Sequence, residues 1–336
     1  MRKKIIGICV LGLLITTAIP SFGMIFEQKS VTDTNQELHV EKALEKTVMQ
    51  VLPHQTITIR HHLLKRNFLL YVPTSYDGAN PVPLVLVYHG GENTPENSSV
   101  RFGISEKAEE EGFIVVYANA SEIMMDYWLF GLGWYTIDLI EELMRMFVDE
   151  IGYSKKIMDK MQKDYNIDPD RIYIAGHCNG AMIAYHLAAI FSDRIAAIAS
   201  SGGCIGAHLE DFEMLTIPKP AAPVSIVEFH GKLDRIVPYN GGWDIWRETY
   251  YMSVADAVDF WVDNNNCNPD PVTEVSDSGN VTIDRYSGGD AETEVVLYTI
   301  ENKGHIWFGG PSWEDPNPEI STTDKMWEFF EAHPKQ

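Results

Sequence analysis

Apolar positions along the chain fall into short dense runs separated by polar or helix-periodic stretches. Thr56–Arg60 and Phe68–Val72 read as the two strands of a hairpin that ends in Pro73. Pro83–Tyr88 is a short run rich in Val and Leu that stops at His89-Gly90-Gly91, and reads as a buried strand. A polar helix over Ile104–Glu111 and a strand at Phe113–Ala118 follow. A long helical stretch occupies much of Ile137–Tyr165, with a break expected near Gly152. Beyond it the pattern predicts a strand at Arg171–Ala175, a helix at Asn179–Phe191, and strands at Ile195–Ala199 and Val224–Phe229. A helix over Val254–Val262, strands at Val281–Tyr286 and Glu294–Ile300, and a closing helix at Thr322–Ala332 complete the series. Apolar strands alternating with helices predict an α/β fold, with a mostly parallel central sheet covered on both faces. Residues 56–336 contain no internal repeat and no Pro/Gly/Ser-rich linker, which favours one domain over two.

The first residues follow a different logic. Arg2, Lys3 and Lys4 precede the apolar run Ile5–Ile19 and then Pro20-Ser21-Phe22-Gly23, the plan of a secretory signal cut after Gly23. That run is shorter than the ~20 residues a membrane-spanning helix needs. The expected layout is a signal peptide at 1–23, an N-terminal arm or spacer at 24–54 and a catalytic domain at 55–336. The expected location is extracellular, with no stable membrane span once the signal is removed. Composition adds two exclusions. With 26 Lys+Arg against 48 Asp+Glu the net charge is −22, which argues against a nucleic-acid partner. Four cysteines are too few for a disulfide scaffold and are not spaced as zinc-ligand pairs.

The sharpest chemical signal is Gly176-His177-Cys178-Asn179-Gly180, between a predicted strand and a predicted helix. G-x-nucleophile-x-G in that setting is a nucleophile elbow, in which glycines permit a crowded turn that lifts the central side chain above the sheet. A thiol at a helix N-terminus feels the positive end of the dipole, which favours the nucleophilic thiolate. Such an elbow takes an acid and then a histidine in chain order. Asp234 lies in the loop after the strand Val224–Phe229, and His305 lies in the loop after Glu294–Ile300. Cys178, Asp234 and His305 are therefore the expected triad. Backbone amides of Asn179 and, in the turn His89-Gly90-Gly91-Glu92, of Gly91 are the expected oxyanion hole. Trp128, Trp134, Trp243, Trp246 and Trp307 fall in loop-like segments, and Trp307 is the expected substrate wall. His177 is expected to point away from Cys178, and His230 to support the loop that carries the acid. His39, His61 and His62 have no carboxylate at useful spacing, and no H-E-x-x-H occurs, so neither metal nor cofactor is expected.

Taken together these motifs resemble the secreted polyhydroxybutyrate depolymerase and feruloyl/acetylxylan esterase group of α/β-hydrolases. The resemblance runs from about Asn67 to Phe330. It rests on Phe68-Leu69-Leu70-Tyr71-Val72-Pro73, Pro83–Gly91, Ile167-Asp168-Pro169-Asp170-Arg171-Ile172-Tyr173 and Asn179-Gly180-Ala181-Met182. It continues with His230-Gly231, Asp234, Val237-Pro238-Tyr239-Asn240-Gly241-Gly242 and Gly304-His305-Ile306-Trp307. It implies the α/β-hydrolase fold and hydrolysis, through an acyl-enzyme, of aryl or acetyl esters of plant polysaccharide or of polyester chains. The partner it implies is thus an ester substrate, polymeric or polysaccharide-linked. Two departures stand out. Cys178 occupies the position of the group's serine, and Tyr286-Ser287-Gly288-Gly289 lacks the cysteine that members often carry there to pair at the position of Cys267. Cys267 is left with Cys204 or with no partner. The alternatives are a lactone hydrolase of the dienelactone type and a catalytically silent homologue that binds polysaccharide or a protein through the old cleft.

Overall fold

The computed structural model describes residues 52–91, 93–119, 149–209, 212–311, 315 and 318–336. The expected signal and nearly all of the expected arm, Trp128 and Trp134, and residues 137–148 lie outside them. The described chain starts with an antiparallel pair, β1 (Gln55–His61) and β2 (Leu64–Tyr71). β3 (Val82–Tyr88), α1 (Pro95–Phe102), α2 (Ile104–Glu111), β4 (Ile114–Ala118) and α3 (Glu150–Asp164) follow. Next come β5 (Ile167–His177), α4 (Asn179–Ile190), β6 (Ala197–Ser201), β7 (Gly206–His208), β8 (Leu215–Thr216) and β9 (Ser225–Gly231). The chain continues with β10 (Gly242–Trp243), β11 (Tyr250–Tyr251), α5 (Val254–Asn265), β12 (Val272–Val275), β13 (Val281–Tyr286), β14 (Val295–Ile300) and α6 (Thr322–Ala332).

Ten strands form one sheet in the order β1-β2-β4-β3-β5-β6-β9-β14-β13-β12. The six from β4 to β14 run parallel, and antiparallel strands close both edges. Strand periodicity explains why the central runs are apolar throughout. In β3, Leu84, Leu86 and Tyr88 pack on one face with α3, α4 and α5, while Val85 and Val87 pack on the other with α1, α2 and α6. β4 and β5 divide their side chains in the same way. The expected doubly covered, mostly parallel sheet is therefore present.

Near Gly152, where a break was expected, α3 begins at Glu150 after the left-handed N-cap Asp149, and the Gly152 N–H donates to Asp149 Oδ1 at 2.8 Å. Gly152 thus lies in a capped first turn. A second, four-stranded sheet in the order β10-β11-β7-β8 was not foreseen, because its strands are two or three residues long and carry no periodicity to read.

Candidate active site

β5 delivers Cys178 to the C-terminal edge of the parallel strands, where α/β sites assemble. Cys178 has φ 58°, ψ −123°, a left-handed conformation that L-residues adopt only under strain. The flanking glycines are required by close approach. A Cβ on Gly176 would meet Gly180 O at 2.0 Å, and one on Gly180 would meet Tyr88 O at 2.0 Å. Cys178 is the N-cap of α4 but makes no side-chain cap bond, so its thiol is not spent on the helix. It is partly exposed.

Asp234 and His305 arrive from the loops after β9 and β14. His305 Nδ1 donates to Asp234 Oδ2 at 2.6 Å. Asp234 Oδ1 accepts the N–H groups of Ile236 and Val237 at 2.8 and 2.9 Å, which fixes the carboxylate within its own loop. His305 Nε2 is buried without a partner in good hydrogen-bonding geometry, and the Cys178 thiol is the group that acts on it. Such bonds often tighten only when substrate binds.

The electrostatics agree with the geometry. Burial opposes a charged imidazole at His305, but Cys178 and Asp234 outweigh it and raise its pKa to about 10. Burial likewise opposes a thiolate at Cys178. The charge of His305, its hydrogen bond and the backbone amides of Asn179 and Gly91 overcome that and bring the thiol below its ordinary value. The pair is coupled, and both shifts favour thiolate with imidazolium. Burial pushes the remaining thiols the other way, Cys204 up to about 12 and Cys267 up to about 11. Both are free, so no disulfide joins them.

Three groups around the site were missed or undervalued. His230, fully buried, donates from Nε2 to the Val237 carbonyl at 2.9 Å and also lies 3.4 Å from Asp234 Oδ2. A carbonyl can only accept, so Nε2 carries a proton. His230 Nδ1 is 2.9 Å from Oε1 of buried Glu228, whose Oε2 accepts the Tyr185 hydroxyl at 2.9 Å. One proton is therefore shared between Nδ1 and Glu228, behind the acid of the expected triad. Burial opposes charge on His230, yet Asp234 and Glu228 raise its pKa to about 9. The expected support of the acid's loop by His230 is present in its bond to Val237. What was missed is Glu228, whose signal was an acid inside a buried strand two residues before a histidine. The third group is His177. Its ring centre lies 4.7 Å from that of His305, and burial followed by the charge of His305 holds it well below its ordinary pKa. It is a neutral neighbour of the expected base.

Trp307 is corrected. It is 1 % exposed, stacks on Phe102 with ring centres 4.3 Å apart and donates from Nε1 to the Thr323 hydroxyl at 3.0 Å. It belongs to the core under the site, because a ring this large recovers more free energy buried than lining a cleft. Trp243 and Trp246 are 36 % and 60 % exposed. Trp243 lies edge-on to Tyr250, which stacks on His208, in the small sheet whose Tyr251 packs with Val237 and Met182 beside the Asp234 loop and the elbow helix.

Residues 77–257, more than half of the chain, match the model of the phospholipase/carboxylesterase family. The chain belongs to that family. The match in this phospholipase/carboxylesterase member includes Gly91, Cys178, Asn179 and Asp234 and ends before His305. Over 268 residues it is 29 % identical to a bifunctional acetylxylan esterase/xylanase of Neocallimastix patriciarum, covering 79 % of this chain and 33 % of that protein. Over 246 residues it is 24 % identical to feruloyl esterase B of Piromyces equi, covering 71 % of this chain and 42 % of that protein. The chain thus spans less than half the length of either relative. Among solved structures, an acetyl xylan esterase from Aspergillus awamori superposes with a TM-score of 0.54 at 14 % identity, covering 83 % of this chain and 99 % of that one. At that identity the likeness shows the fold alone, the α/β-hydrolase arrangement expected from the motifs.

Proposed function

We propose that the chain is an exported carboxylic ester hydrolase that works through an acyl-thioester on Cys178, on acetyl or feruloyl esters of plant polysaccharide. The observation that carries the reading is the 2.6 Å bond from His305 Nδ1 to Asp234, with the other ring nitrogen coupled to a thiol at a left-handed elbow. The substrate class is supported by the names of the fungal relatives, and family membership supports ester chemistry. Export rests on the pattern of residues 2–23; among the described residues no helix is long and apolar enough to cross a membrane.

In this reading the Cys178 thiolate attacks the ester carbonyl carbon, a C–S bond forms and the carbonyl electrons move onto oxygen. The amides of Asn179 and Gly91 receive that oxyanion. The tetrahedral adduct collapses, the C–O bond to the alcohol breaks, and His305 Nε2–H protonates the departing alkoxide. Water then attacks the thioester and gives its proton to Nε2. The C–S bond breaks, the acid leaves and the thiolate–imidazolium pair is restored. Asp234 holds the imidazole in one tautomer throughout. Trp243 and Trp246 supply the exposed aromatic faces on which a sugar or feruloyl ring can stack.

The thiol itself favours a second reading, a silent homologue that binds polysaccharide or a protein. A lactone substrate is a variation of the first reading, since the same steps open a cyclic ester. Reduced wild-type protein and the variants Cys178→Ala and Cys178→Ser, assayed on p-nitrophenyl acetate and on acetylated and feruloylated xylan, separate them. Hydrolysis by wild type that falls by about 10³-fold or more in Cys178→Ala supports the proposal. Activity only in Cys178→Ser would establish the silent reading.

A further inference from the structure

His61 and His62 sit at the turn between β1 and β2, on an edge of the sheet, whereas Cys178 follows the central strand β5. Successive residues in a strand send side chains to opposite faces. Here His62 takes φ 49°, the left-handed region, and the two imidazole rings come together with centres 4.3 Å apart. Asp149, also left-handed at φ 31°, reaches the same place as the N-cap of α3. Its Oδ1 is occupied by the Gly152 N–H, and its Oδ2 lies 3.1 Å from His61 Nε2 and 3.0 Å from His62 Nε2. All three donor atoms lie within 4.8 Å of one another. The carboxylate is 88 and 87 residues from the two histidines in sequence, which is why no useful spacing is visible there.

We propose that His61, His62 and Asp149 form a binding site for a divalent transition-metal ion of the zinc type, separate from the ester chemistry. Two imidazole nitrogens and one carboxylate oxygen are the donor set that zinc prefers and that calcium and magnesium do not. A tetrahedral ion with bonds of about 2.0–2.1 Å has edges of about 3.3–3.4 Å between donor atoms. Both nitrogen–oxygen edges are within a few tenths of an ångström of that, and the two imidazole nitrogens lie within 4.8 Å of each other. The bond from Gly152 to the second carboxylate oxygen aims the ligand, as second-shell contacts do in metal centres. The adjacent acid, Glu150, is tied to Arg66 at 2.8 Å and does not compete. The His62 side chain is 42 % exposed, which leaves a fourth position open to water and gives the ion a route in. A bound ion cross-links the turn of the edge hairpin to the start of α3.

The same three atoms also satisfy simple imidazole-to-carboxylate hydrogen bonds, and metal titration distinguishes the two. The test uses untagged full-length Cys178→Ser protein, so that the thiol near His305 does not itself take up zinc, stripped with chelator and titrated with zinc chloride. About one equivalent of zinc should bind, and saturation should raise Tm by roughly 3–6 °C. Both effects should vanish in His62→Ala and in Asp149→Asn, and magnesium should reproduce neither. Asn at 149 keeps the N-cap acceptor, so the second variant separates loss of the metal from loss of the helix start. Failure of the parent to bind zinc at about 100 μM, or undiminished binding in both variants, overturns the proposal.

Discussion

At the scale of single residues, the three cysteines of the described chain differ more in environment than in chemistry. Cys178 is partly exposed, and the charge of His305 with the backbone amides of Asn179 and Gly91 lowers its thiol below the ordinary value. Cys204 and Cys267 are buried and pushed up to about 12 and 11. Since the thiolate is the reactive form, iodoacetamide at pH 7 should alkylate Cys178 at least about 100-fold faster than the other two. Peptide mapping after one equivalent of reagent checks this, and ester hydrolysis should fall in step with labelling at Cys178. Equal labelling of all three would contradict the ion pair.

Among elements, the antiparallel strand Val281–Tyr286 and the helix Thr322–Ala332 have the expected bounds, while every central parallel strand was legible in place, with bounds that differ by a few residues at the ends. Their legibility has a physical origin: a strand buried on both faces is apolar at every position, and few other structures demand that. α1 was missed because its eight residues, Pro95-Glu96-Asn97-Ser98-Ser99-Val100-Arg101-Phe102, bury serines and owe their helix to the Thr94 cap and to Pro95 at its start. The elbow and the loops that bring Asp234 and His305 together were legible because each follows a readable strand. The His61–His62–Asp149 cluster was not, since its carboxylate is 88 and 87 residues from the histidines and meets them only after folding. The misreading of Trp307 has the same cause. Its proximity to His305 along the chain suggested a cleft residue, but its stack on Phe102 joins the β14–α6 connection to α1. Trp307→Ala should therefore cost about 3–5 kcal/mol of stability, as core Trp truncations do. Urea denaturation measures it; a raised KM with unchanged stability would restore the substrate-wall role.

For the whole molecule, two buried histidines tie stability to pH. The folded values of His230 and His305, about 9 and about 10, lie above the ordinary 6.5. Their contribution is complete below pH 6.5 and is lost as pH rises through about 9 and then about 10. On the acid side, Asp234 is held below its ordinary value, so its contribution is lost as pH falls below the usual carboxylate range. His177, held neutral, adds to the same acid limb. Tm should peak near neutrality and fall from about pH 6.5 towards pH 9, the window of His230, and His230→Gln should flatten that fall. Below pH 9 the raised His305 is offset by the lowered Cys178 thiol of the same pair. A Tm independent of pH from about 6.5 to about 9 would refute the charged state assigned to the dyad.

The order of strands in the sheet has a consequence for a chain still being made. β3 lies between β4 and β5, so the centre of the sheet closes only after residue 177 is available, and β14 is needed to position the loop bearing His305. Until that last loop docks, Cys178 lacks the His305 neighbour that lowers its thiol. The thiol of an unfinished or still unfolded chain is therefore an ordinary one, slow towards oxidants and electrophiles. Its reactivity is a property of the completed polypeptide, acquired in the same step that makes the chain competent for chemistry.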